Sequence, residues 1–176
     1  MQIVALYPPK TLLEVYRMLP EGTRAELING RLYMSPAPTL SHQDSTLDLA
    51  SEIRFFVKKN NLGKVFVSPV DVYFNSKNAV QPDIVFVTSE NKSILKEDGI
   101  YGAPDLVIEV LSPGTKKFDL DQKKKIYEKN SVKEYWVVDP ITKESLGYQL
   151  KNSKFILFKQ EKGKLTSALL KHTFKF

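Results

Sequence analysis

Two stretches of the chain, IVFV at 84–87 and LVIEVL at 106–111, run almost unbroken through apolar residues. A strand with one face in water alternates apolar and polar positions, whereas a strand without alternation is covered on both sides. Two such strands require a central sheet with packing on both faces, and the segments around them supply it. The expectation is therefore an α/β fold around a mixed sheet flanked by helices. At 176 residues the chain has room for one real core, so residues 1–176 are expected to form one domain.

The other segments fit that plan. Thr11–Leu19 carries Glu14 three residues after Thr11, the capping-box spacing of a helix start. In AELINGRLYMS, residues 25–35, Asn29-Gly30 separates two short apolar runs and predicts an N-terminal hairpin. A helix is expected from Ser41 to about Asn60, with Leu47, Ala50, Ile53 and Val57 on its buried face. Val65–Val67 and Val70–Phe74 read as two strands or as one bent at Pro69. Ser89–Ala103 reads as a polar connector with room for a helical turn. Thr115 is placed to cap a helix running to about Asn130, EYWVVD at 134–139 is a further buried strand, and the remainder forms antiparallel strands with turns near Asn152-Ser153 and Gly163.

Glu109 is the anomaly, a full charge inside a buried strand, where an unpaired carboxylate costs several kcal/mol. Asp105 shares its face, but four residues at about 3.3 Å each put it roughly 13 Å away, too far to share an ion held about 2.1 Å from each oxygen. Asp83 opens the other apolar strand, and neighbouring strands lie about 4.8 Å apart, so pairing that sets Asp83 opposite Glu109 brings the two carboxylates together. The plainer alternatives are a strand-capping aspartate and a glutamate paired with some lysine. Downstream, Asp119, Lys123 and Tyr127 follow at four-residue steps and share one helical stripe, as an ordinary surface ion pair or as a cation beside Glu109.

Composition narrows the chemistry. With no cysteine and two histidines, a metal site must be built from oxygen ligands or those histidines. The net charge is +6, and the eight lysines and two glutamates from Lys143 to Phe176 account for all of it. Such a tail is either a lysine-edged sheet that resists aggregation or a surface facing nucleic acid. No segment is apolar enough to span a bilayer, and the start, MQIVALYPPK, lacks a charged region leading into a long apolar stretch. The expectation is a cytoplasmic protein without a membrane partner.

PDIVFV followed by PDLVIEVLSPGTKKFDLDQKKKIYEKNSVKEYWVVDP resembles the Uma-two family of PD-(D/E)XK, restriction-endonuclease-like proteins, as does ELINGRLYMSPAP with the Ser41-His42 that follows. The resemblance implies a restriction-endonuclease-like fold and an endonuclease acting on nucleic acid, DNA ahead of RNA, with Mg²⁺ or Mn²⁺. Asp83 and Glu109 would be its acidic residues. The strand lysine of the general motif is replaced by Leu111, and its role falls on Lys123. Glu26 would complete the metal ligands, with Gln81, His42, Asp119 and Tyr127 lining the site. A homodimer is expected, since duplex cleavage commonly uses two sites. The alternatives are a nucleic-acid-binding module of the same fold without catalysis and an interaction protein in which Glu109 is only ion-paired.

Overall fold

The computed structural model describes residues 7–112 and 118–176, with backbone alone at 118–120. Among these residues, three α-helices, α1 (Leu12–Arg17), α2 (Leu40–Lys59) and α3 (Lys124–Lys129), accompany fourteen strands. These are β1 (Ala25–Ile28), β2 (Arg31–Met34), β3 (Gly63–Val67), β4 (Val72–Asn75), β5 (Asn78–Val80), β6 (Ile84–Thr88) and β7 (Leu95–Lys96). They continue with β8 (Gly99–Tyr101), β9 (Leu106–Val110), β10 (Glu134–Val138), β11 (Glu144–Lys151), β12 (Lys154–Lys162), β13 (Lys164–Ser167) and β14 (His172–Lys175).

The central sheet has the order β12-β11-β10-β9-β6-β3 and is mixed, β9 and β10 being parallel and the other pairs antiparallel. All residues of β9 and β10 are buried. On one face Ile84, Phe86, Leu106, Ile108 and Val110 pack with Leu49, Ile53 and Val57 of α2. On the other, Val85, Val87, Val107 and Leu111 pack with Ile126 and Tyr127 of α3 and with Val72, Val80 and Ile100. Both faces are covered, which is why neither run alternates; each fully buried Val, Leu or Ile contributes up to about 1.5–3 kcal/mol.

The second face is covered mainly by another sheet, β2-β1-β5-β4-β8-β7, of which the hairpin and β4 were legible in the sequence. Asn29 and Gly30 both take positive φ, as the turn between β1 and β2 requires. β3 and β4 are separate strands and belong to different sheets. Within the expected polar connector, a 3-10 turn at Lys92–Ile94 leads into a hairpin whose β8 pairs in parallel with β4. At its far edge the central sheet presents Lys154, Lys159 and Lys162 on β12, charges that blunt edge pairing.

Two helices depart from expectation. In α2 the core face is Leu49, Ala50, Ile53 and Val57 together with His42 and Ser45, while Leu47 is 67% exposed. At 100° per residue Leu47 lies about 160° from Leu49 and about 120° from Ile53, so the spacing that linked it to Ala50 set the face out of phase. The helix expected from Thr115 starts outside the described residues; from Phe118 to Lys123 the backbone is π-helical and then passes into α3. Among the described residues, no helix is long and apolar enough to cross a membrane.

Candidate active site

β6 and β9 are antiparallel with Ile84 opposite Ile108, so the residue before β6 and the one after Ile108 face each other across the pair. These are Asp83 and Glu109. Their side chains have separate settings. Asp83 Oδ2 accepts the backbone N–H of Val110 at 2.8 Å and lies 3.1 Å from His42 Nε2. His42 sits in the first turn of α2, where the Thr39 hydroxyl accepts its backbone N–H, and α2 thereby holds the imidazole against the strand ends.

Glu109 is 2% exposed and accepts two hydrogen bonds on one oxygen, from Lys123 Nζ at 3.0 Å and from the Tyr127 hydroxyl at 2.5 Å. Lys123 ends the π-helical turn and Tyr127 lies one turn further on in α3, so both reach the same oxygen. Burial, and then the charge of Glu109, push the Tyr127 phenol well above its ordinary range. It therefore stays a donor. Lys123 Nζ is also 2.9 Å from Glu26 Oε1 on β1, and that oxygen accepts the backbone N–H of Gln81 at 2.8 Å. Gln81 is fixed in turn by its side-chain amide, which donates to Asp71 Oδ1 and to Thr23 O.

The structure thus brings Asp83, Glu109, Lys123, Glu26, Gln81 and His42 to one pocket of about 360 Å³, which residues 34–39 also line. Tyr127 stands behind Glu109, fully buried, and the side chain of Asp119 lies outside the described residues. Asp105 is at the other end of β9, accepting from Thr88 N–H and Asn91 and paired with Lys133 at 2.6 Å. Arg24, which the sequence reading passed over, also lines the pocket. Its signal was available: it precedes Glu26 by two residues, and in an extended chain such residues point the same way.

A family model described as "Uma2: Putative restriction endonuclease" matches residues 12–172. The chain belongs to the Uma2 family. No curated protein matches it. Among solved structures, the Uma2 chain is similar to a putative nuclease belonging to DUF820 from Anabaena variabilis ATCC 29413, with a TM-score of 0.74 and 20% identity over 92% of this chain and 91% of that one. At that identity the likeness is one of fold, and it agrees with the α/β architecture expected from the strand pattern and with the restriction-endonuclease-like fold that the resemblance implies.

The donor chemistry of the Uma2 site is that of a hard cation. Asp83 and Glu109 offer carboxylate oxygens from adjacent strand ends, and Mg²⁺ is commonly held by one or two carboxylates with water and phosphate completing the shell. A three-carboxylate cage is a poorer fit. Among the described residues no three such groups are disposed around one ion. Lys123 Nζ lies between Glu26 and Glu109, at the place a cation shared by those two would take.

Proposed function

We propose that this Uma2 protein is a metal-dependent endonuclease that hydrolyses phosphodiester bonds in nucleic acid. The observation that carries the reading is the convergence of Asp83, Glu109 and Lys123 at the ends of two buried strands, on a pocket open to solvent. The family description, restriction endonuclease, favours DNA over RNA as the substrate.

Asp83 and Glu109 would hold Mg²⁺ or Mn²⁺, with Glu26 acting through Lys123. When bound, the ion polarises the scissile phosphate and lowers the pKa of a water. His42 and the Val110 N–H keep Asp83 turned to one orientation. Tyr127 does the same for Glu109, and its raised pKa keeps the phenol donating at any working pH. Lys123, paired with Glu26 and Glu109, orients the attacking water and stabilises negative charge growing on the phosphoryl oxygens. Arg24 contributes a second cation for the phosphate.

A nucleic-acid-binding module without cleavage is the second reading, favoured by the engagement of Glu26 and Glu109 with Lys123 rather than with each other. One experiment separates the two. Supercoiled plasmid, single-stranded DNA and RNA are incubated with the protein in Mg²⁺, Mn²⁺ or chelator, beside Asp83→Ala and Glu109→Ala. Metal-dependent cleavage reduced by about 100-fold or more in either variant supports the nuclease. Equal cleavage by all three proteins, or salt-sensitive binding with no cleavage under any metal, overturns it.

A further inference from the structure

Lys125 and Lys129 stand one turn apart on α3, both exposed, with about 5–6 Å between their Cβ atoms. Like charges at that spacing repel one another. A third lysine, Lys77, joins them at an open cleft of about 740 Å³. Among the described residues no Asp or Glu lines the cleft, and none of the three lysines forms an ion pair. The acids closest in sequence do not intervene. Glu128 is held by Lys154 and by the Phe155 N–H, and Asp121 lies outside the cleft lining.

The other wall is made of amides. Asn29 sits in the turn between β1 and β2, and Asn75 and Asn78 flank the turn between β4 and β5 that carries Lys77. Two hydrogen bonds clip these turns together: the Gly30 N–H donates to Lys77 O at 2.9 Å, and the Asn29 N–H donates to Asn78 Oδ1 at 2.9 Å. Asn75 Oδ1 accepts the Lys77 N–H at 2.9 Å and the Asn78 side-chain amide at 3.1 Å. Its oxygen is thereby engaged within the turn, and its amide nitrogen remains a donor. Three ammonium groups and fixed amides around one concavity, without a carboxylate, suit an anion rich in oxygen and exclude a metal ion or an amine. Phosphate is such an anion, since lysine binds it as a point charge and amide donors complete its hydrogen bonds.

We infer that the cleft between α3 and the two turns is a phosphate-binding site, separate from the active-site pocket. The two are neighbours. Asn29 follows β1, three residues after Glu26, which is about 10 Å along the strand. The phosphates come either from the backbone of a bound nucleic acid, flanking the cut, or from a free nucleotide. The first source rests on the reading of the protein as a nucleic-acid enzyme; the second does not.

The test compares the wild type with Lys77→Gln/Lys125→Gln/Lys129→Gln and with a control of equal charge, Lys151→Gln/Lys159→Gln/Lys162→Gln, drawn from β11 and β12. Labelled duplex DNA, single-stranded DNA and RNA are titrated in chelator and followed by fluorescence anisotropy. At about 0.1 M salt the cleft variant should bind about tenfold or more weakly, and its dependence of log Kd on log salt should be shallower by about two to three, one for each lost phosphate contact. The control should change neither to that extent. In parallel, pyrophosphate and ATP are titrated by NMR, where saturable shifts of the Asn29, Asn75 and Asn78 side-chain amides, absent from the cleft variant, report free phosphates. The anisotropy effect assigns the nucleic-acid backbone, and the NMR effect without it assigns a nucleotide. Neither effect, or equal effects in the control, overturns the inference. Melting of the cleft variant should be unchanged or raised, because like charges are removed; a lower melting temperature gives the lysines a structural role and also overturns it. No cleavage is read in chelator, so a protein that binds in this way but never cuts sinks the nuclease reading and leaves this one standing.

Discussion

Replacing Lys123 by methionine tests the electrostatics of the site directly. Lys123 Nζ lies 2.9 Å from Glu26 and 3.0 Å from Glu109, and the side chains of Lys123 and Glu109 are only 6% and 2% exposed. At an effective dielectric of about 20, each contact is worth roughly 5–6 kcal/mol of gross attraction, most of it offset by the cost of removing the charges from water. Methionine keeps much of the volume but leaves Glu109 buried beside Glu26 without the cation between them. Breaking a buried pair in this way costs about 3–5 kcal/mol. For a chain of this size that corresponds to a fall in melting temperature of roughly 6–20 °C. The assay is urea unfolding and thermal melting at pH 7, with Lys123→Met/Glu109→Gln in parallel. The double variant removes the stranded charge and should recover about 1.5 kcal/mol or more of the loss. A single variant within about 1 kcal/mol of wild type, or a double variant no more stable than the single, refutes the account of Lys123 as the partner that makes Glu109 tolerable.

Tyr127→Phe removes one of the donors to Glu109 without opening a cavity; unfolding experiments should show a loss of about 1.5–3 kcal/mol, and single-turnover cleavage should slow more than substrate binding weakens. At Asp105, burial favours the neutral acid, but Lys133, the Thr88 N–H and Asn91 together outweigh it and hold the carboxyl below the usual range. A depressed folded pKa gives stability that is present above the unfolded carboxylate value and lost as pH falls through the folded one. Asp105→Asn should therefore cost about 1 kcal/mol at pH 7, little of it from the largely exposed Lys133, and the gap from wild type in melting experiments should close below about pH 4.

Local features were legible where one short-range rule governs them. The capping box at Thr11 and Glu14 is present, with each side chain meeting the other's backbone N–H. The Asn29-Gly30 and Asn152-Ser153 turns both adopt positive φ at each central residue. Leu47 was misplaced because a three-residue step to an apolar neighbour does not fix the phase of a helix whose inner face also carries His42 and Ser45. Short strands such as β5 and β8 left no pattern, since three residues cannot show a period.

The sequence alone determined that 84–87 and 106–111 must be covered on both faces, because burial leaves its mark residue by residue. It also determined that Glu109 needs a partner, because an unpaired charge there is too costly to keep. It could not say which partner. The antiparallel register setting Asp83 across from Glu109, and the return of β1 that brings Glu26 to Lys123, depend on contacts between segments far apart in the chain. Strand patterns specify which face is inward, but not which strand lies alongside or in which direction. Only the folded chain resolves that, through the hydrogen-bonded ladder and the packing of the second sheet over the first.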